Sequence, residues 1–236
     1  MDSESPETPM SQNDSIRALP VGRYRFTSST YPGRRPRFSF LLTRTGIYRL
    51  KVRKLDRLLE HFHLAPSTER YAVLAYGSNA CPGQLLDKEL SDVPVIFGRL
   101  DGAQAVYARR TTQKGYVPAT LAKKRGSRYS WVTLLTSEQL RIMDRSEGRP
   151  NVYALASVPG VQFYMGRSRL TPLYSYVDIR GGVMISNGEP VSLHSTGQER
   201  AKSLLPKATP GPAADWLDFE TIPYPNSPTE YSQIVR

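Results

Sequence analysis

Tyr71-Ala72-Val73-Leu74-Ala75-Tyr76-Gly77-Ser78-Asn79 decides the fold: six apolar or aromatic residues give way at once to glycine and two small hydrogen-bonding side chains. Bounded by Glu69-Arg70 and Gly77, so short a run fits a strand covered on both faces better than a helix. Gly77 permits close approach of a ligand or a positive φ. Beyond it, Pro82 and the pattern Gln84-Leu85-Leu86-Asp87-Lys88-Glu89-Leu90 predict a helix with proline in its first turn. Strand, small-residue loop and helix start together read in two ways. They form either an anion site, where free N–H groups and the helix dipole favour a carboxylate or phosphate, or a plain tight turn.

Upstream, residues 1–20 are rich in Ser, Pro, Glu and Asp and are expected to be disordered. Residues 21–68 read as a basic hairpin-helix module. Its strands run from Arg37 to Thr43 and from Ile47 to Val52 around Arg44-Thr45-Gly46, and a helix from Lys54 to Leu64 follows. Downstream, Val93–Leu100 and Ala103–Ala108 predict two strands of a hairpin turning at Asp101-Gly102. A basic polar loop from Arg109 to Lys114 leads to further strands at Tyr116–Leu121 and Tyr129–Leu135, with a turn at Lys123-Lys124-Arg125-Gly126. Short strands at such intervals suggest a curled, mostly antiparallel sheet.

Thr136 followed by Gln139 is a capping box, and Leu135 with Leu140 forms a hydrophobic staple, so a helix starts at Thr136. Gly148 and Pro150 end it. Within it Leu140, Met143 and Glu147 share one face, which turns a carboxylate toward the apolar side at the negative end of the helix dipole. Such a placement suits either a functional acid or a glutamate reaching back to solvent. Further strands are expected at Val152–Val158, Val161–Tyr164 and Tyr174–Asp178, turns at Gly181-Gly182 and Asn187-Gly188, and a helix over Gln198–Leu205. Residues 206–236 read as a Pro-rich extended tail, tethered through Trp216 and Phe219.

The chain has 236 residues, of which 39% are hydrophobic and 10% aromatic, enough for a sizeable core in one domain with extensions. No apolar run reaches the roughly 20 residues of a membrane-spanning helix. The opening Met1-Asp2-Ser3-Glu4-Ser5-Pro6 has neither the basic nor the apolar region of a secretory signal, and Cys81 is the lone cysteine, so a cytoplasmic protein is expected. Much of the formal charge of +11 falls between Arg17 and Arg57. Arg34, Arg35 and Arg37 belong to this cluster, which is either a solvated basic face or a contact for nucleic acid or another acidic partner. Cys81, near a helix start, is a secondary candidate for a nucleophile. His61 and His63 diverge on a helix and do not suit a shared metal.

Two motifs in fixed order carry a resemblance. Ala75-Tyr76-Gly77-Ser78-Asn79, followed by Leu140-x-x-Met143-Asp144-x-x-Glu147-Gly148-x-Pro150-x-x-Tyr153, resembles the γ-glutamyl cyclotransferase-like superfamily. Gly115 to Leu121, Tyr174 to Val177 and Gly188 to Val191 look like its connecting and closing strands, so the similarity spans about residues 71–205. It implies an α+β fold with a small mixed, mostly antiparallel β-barrel flanked by helices over residues 69–205, to which the hairpin-helix module is added. By the same resemblance Glu147 is the catalytic residue, and Tyr76, Gly77, Ser78, Asn79 and Tyr153 bind the substrate. The implied reaction is attack of a γ-glutamyl amide by its own α-amine, releasing 5-oxoproline and a free amine, with no cofactor or metal. Ala80 stands where the family usually has leucine, and the module has no counterpart there. The alternative is a non-catalytic cyclotransferase-like domain whose basic module binds nucleic acid or another acidic partner.

Overall fold

The computed structural model describes residues 18–19 and 26–235. In chain order the strands and helices are β1 (Ala18–Leu19), β2 (Phe40–Leu42), β3 (Ile47–Arg49), α1 (Leu55–His61), β4 (Tyr71–Leu74), α2 (Pro82–Asp87), β5 (Val93–Tyr107), β6 (Ala119–Leu135), α3 (Ser137–Glu147) and β7 (Tyr153–Ser157). They continue with β8 (Gln162–Met165), β9 (Ser168–Thr171), β10 (Leu173–Asp178), β11 (Val183–Ser186), β12 (Glu189–Pro190), α4 (Gln198–Leu204), β13 (Thr209–Gly211), α5 (Ala213–Trp216), β14 (Glu220–Thr221) and β15 (Gln233–Val235). None of these helices is long and apolar enough to cross a membrane. Apart from β1, the expected disordered segment 1–20 lies outside the described residues.

The fold is α+β, with a large, mostly antiparallel sheet ordered β1-β3-β2-β5-β6-β4-β10-β7-β14. β4 is its central strand. All four of its residues are buried, and it pairs antiparallel with β6 and parallel with β10, as an apolar run without alternation requires. Among the described residues no ladder joins β1 to β14, so the expected closed barrel is not formed; the branched sheet ends at β1, β14 and β15. The reason lies in β5, which meets β2 at its start and β8 at its middle, so that one edge of the strand leads to two different neighbours.

One more expectation is corrected. The hairpin at Asp101-Gly102 is absent: β5 runs through it as one 15-residue strand opposite the 17-residue β6, which likewise replaces two expected strands. Asp101-Gly102 is a bulge in that ladder, with Gly102 at φ +89° and the Gly160 carbonyl 2.4 Å from where a Cβ would stand. Turn residues here bend a strand instead of reversing it. Within the hairpin-helix module β2 and β3 pair and α1 follows, and β2 also pairs with β5 inside the main sheet. The tail is woven in as well, through β13 on β11, β14 on β7 and β15 on β9. Both helix-capping bonds of Thr136 and Gln139 are made, and α3 ends on Gly148 at φ 66°.

A carboxylate, a lysine and a small-residue loop at one cleft

β4 delivers the loop. After Leu74 the chain passes through Gly77 into a 3₁₀ turn over Ser78–Ala80 before α2 begins at Pro82. The expected contribution of the helix dipole therefore falls away, since α2 is only six residues long and a turn separates it from the loop. What remains is backbone: the N–H groups of Gly77 and Ser78 have no acceptor among the described residues. Gly77 has φ −102°, not the positive value that glycine allows, and is needed for space. A Cβ there would sit 3.0 Å from the Tyr31 hydroxyl.

α3 delivers Glu147 to the same place. Leu140 and Met143 are fully buried on the face it shares, and the last turn is fixed one step earlier. Asp144 accepts a hydrogen bond from the Tyr176 hydroxyl (2.7 Å) and pairs with Arg149 (2.9 Å), which also donates to the carbonyls of Ile222 and Asn226. Glu147 Oε1 accepts hydrogen bonds from Asn79 Nδ2 (3.2 Å) and from Lys88 Nζ, and Lys88 also donates to Asn79 Oδ1 (2.7 Å). The Lys88 and Glu147 side chains are only 15% and 13% exposed. Lys88 answers the objection that an inward carboxylate is unfavourable, because burial of a charge is tolerated when it is paired and hydrogen-bonded. Oε2 has no partner among the described residues, so one oxygen is anchored and the other is open.

Tyr31 is the other arrival. Its hydroxyl accepts the Ala119 N–H (2.8 Å), and its ring stacks on Tyr116 with centroids 5.9 Å apart. Burial holds the phenol above its ordinary pKa, so it keeps a proton to donate. The hydroxyls of Tyr76 and Tyr153 are already committed, to the carbonyls of Tyr176 and Ala119 respectively. Both residues line the cleft with ring atoms, and Tyr153 offers no free hydroxyl for a substrate. Burial raises the pKa of both phenols.

Around these groups lies an open cleft of about 1290 Å³, lined by the loop, the end of α3, Tyr31 and the segment from Arg109 to Tyr116. The structure thus brings Tyr76, Gly77, Ser78, Asn79, Glu147 and Tyr153 to one cavity and adds Lys88 and Tyr31, which the sequence reading passed over. Arg35 leaves the expected surface cluster. Its guanidinium donates to the Tyr76 carbonyl (3.0 Å) and lies 4.6 Å over the Trp131 ring, bracing the loop from behind. Arg34 and Arg37 stay exposed. Cys81 is fully buried, with its thiol 3.4 Å from the Thr27 carbonyl, and burial pushes its pKa up, the opposite of what a nucleophile needs.

Comparisons with protein-family models, with curated proteins and with solved structures each find no match.

Proposed function

We propose that this chain is a γ-glutamyl cyclotransferase-like enzyme, and the observation that carries the reading is Glu147, anchored through Oε1 and open through Oε2, in the cleft that Gly77 and Ser78, with their free N–H groups, also line. The substrate's α-carboxylate lies against those backbone donors, with Asn79 and Lys88 beside them. Oε2 takes a proton from the α-ammonium, and the freed amine attacks the γ-carbonyl carbon. The C–N bond of the five-membered ring forms while the carbonyl oxygen becomes an oxyanion, which the Tyr31 hydroxyl is placed to stabilise. As the oxyanion collapses, protonated Glu147 gives its proton to the departing nitrogen, the amide C–N bond breaks, and the released amine takes up the second proton that the ring nitrogen must lose. 5-Oxoproline and a free amine leave, and no water is consumed. In this reading the open sheet is the counterpart of the family's small barrel, and the setting is the cytoplasm.

Release of 5-oxoproline from a panel of γ-glutamyl dipeptides and γ-glutamylamines tests it. Glu147→Gln keeps the shape of the side chain and should lower turnover roughly 10² to 10⁴-fold, as loss of a positioned proton carrier does. Near-wild-type turnover by that variant on a proven substrate would refute the mechanism.

A further inference from the structure

The cleft is larger than the proposed chemistry requires and strongly one-sided in charge. Its volume of about 1290 Å³ exceeds the usual range of roughly 300–1,000 Å³ for small-molecule sites, whereas a γ-glutamyl group fills a small part of it. Lys88, Arg109, Arg110, Lys114, Arg145 and Arg180 line it, against Glu147 as the one carboxylate among the described residues. Lys88 is neutralised by Glu147, and Arg110 by the buried Asp178 at 2.6 Å. Arg109 donates to a neutral carbonyl, that of Ala208 (2.7 Å). Lys114, Arg145 and Arg180 are exposed and pair with no carboxylate among the described residues.

These three cations come from three separate elements: the β5–β6 connection, the last turn of α3 and the turn after β10. That last turn is built for its position, because the Asp178 carboxylate accepts both the Arg180 N–H (3.1 Å) and the Gly181 N–H (2.7 Å). An ordinary solvated basic face is convex and interspersed with acids. Here like charges converge on a concavity, where low-dielectric walls concentrate their field and their mutual repulsion is relieved by a bound anion.

We infer that the leaving amine is a large, multiply anionic molecule, its phosphate or carboxylate groups held by Lys114, Arg145 and Arg180 while its γ-glutamyl end lies at Glu147. This rests on the cyclotransferase reading. It excludes polyamines and other polycationic amines as preferred leaving groups.

The test is calorimetric titration of the full chain at low ionic strength with tripolyphosphate, with tetra-γ-glutamate and with spermine. Saturable one-to-one binding of either anion is expected, and which of the two binds identifies a phosphate or a polycarboxylate; binding of both assigns the shared oxyanion chemistry. The triple variant Lys114→Gln/Arg145→Gln/Arg180→Gln should bind on the order of tenfold to a hundredfold more weakly, since each partly exposed charge contact is worth at most about fivefold. If the triple variant does not fold, the three single variants are titrated instead, each expected to lose about twofold to fivefold. The inference is overturned if neither anion saturates, if spermine binds in their place, or if the variants bind anions as the wild type does. Kinetics separate the two readings. Fastest 5-oxoproline release from γ-glutamyl-spermine, ahead of γ-glutamyl-alanine and γ-glutamyl-tetra-γ-glutamate, overturns the anionic leaving group and leaves the cyclotransferase standing. Anion binding with no release from any of the three overturns the cyclotransferase reading, and the leaving-amine assignment falls with it.

Discussion

Replacing Lys88 with methionine keeps most of the side chain's length, removes its charge and leaves Asn79 as the remaining hydrogen-bond partner of Glu147 among the described residues. Two unit charges about 4 Å apart attract by about 4 kcal/mol at the effective dielectric near 20 that suits a protein surface. Opposing this are the partial desolvation of both groups and up to about 2 kcal/mol of lysine side-chain entropy. Because the two side chains are 15% and 13% exposed, the pair lies between a surface bridge, worth up to about 1 kcal/mol, and a buried one, whose breakage costs about 3–5. Lys88→Met should therefore destabilise the fold by about 2 kcal/mol. The double variant Lys88→Met/Glu147→Gln, which leaves no lone charge, should be more stable than the sum of the two single effects by about 1–3 kcal/mol. Urea unfolding followed by tryptophan fluorescence reads all four corners of the cycle, with Trp131 and Trp216 as reporters. Additivity within about 0.5 kcal/mol would show that the pair holds no energy, and the account of how Glu147 is positioned would fail.

Two further outcomes follow from the tyrosines. Tyr31→Phe removes the acceptor of the Ala119 N–H and should cost about 1 kcal/mol in stability. If its hydroxyl meets the oxyanion, kcat should fall on the order of tenfold or more with KM little changed; an unchanged kcat on a proven substrate would confine Tyr31 to packing. Burial holds the phenols of Tyr76, Tyr153 and Tyr176 well above 10 in the folded chain, whereas they titrate near 10 when unfolded. Their folded pKa values are raised, so their contribution to stability is complete below pH 10 and is lost as pH rises beyond it. At about 1.4 kcal/mol per group and pH unit, the three together should cost about 4 kcal/mol by pH 11, against a total stability of about 5–15 kcal/mol. Urea midpoints at pH 9 and 11, with the tyrosinate absorbance of these three phenols appearing only as the chain unfolds, check this; equal midpoints would refute it.

The features legible in the sequence were those whose causes are local. β4 announces itself as an apolar run, and α3 by a cap, a staple and a terminal glycine, all set by neighbours within four residues. Glu147 could be aimed at the interior from helical spacing alone. The misreadings share the opposite origin. Asp101-Gly102 has the chemistry of a tight turn, and only the close approach of Gly160 makes it a bulge in a longer strand. Lys88 looked like an ordinary polar position in the helical pattern, because nothing near it in sequence shows that it meets a carboxylate 59 residues away. Tyr31 precedes all but β1 of the regular structure and shows no periodicity by which to judge it. The closed barrel failed for the same reason, since strand pairing joins residues far apart along the chain.

The parallel pairing of β4 with β10 has a kinetic consequence. β4 meets β6 about 60 residues downstream and β10 roughly a hundred downstream, and Tyr76 reaches the Tyr176 carbonyl across 100 residues. Closing the longer loop adds little to the equilibrium cost, because each doubling of length adds only about 0.6 kcal/mol. The delay is in time: folds dominated by distant strand pairs form in roughly milliseconds to seconds, slower than those built from neighbours. A refolding chain can therefore complete α3 and the β5–β6 ladder while β4 is still flanked on one side only. The walls of the cleft meet when β10 docks, so the cleft takes its final form late, after most of the polypeptide has reached its final shape.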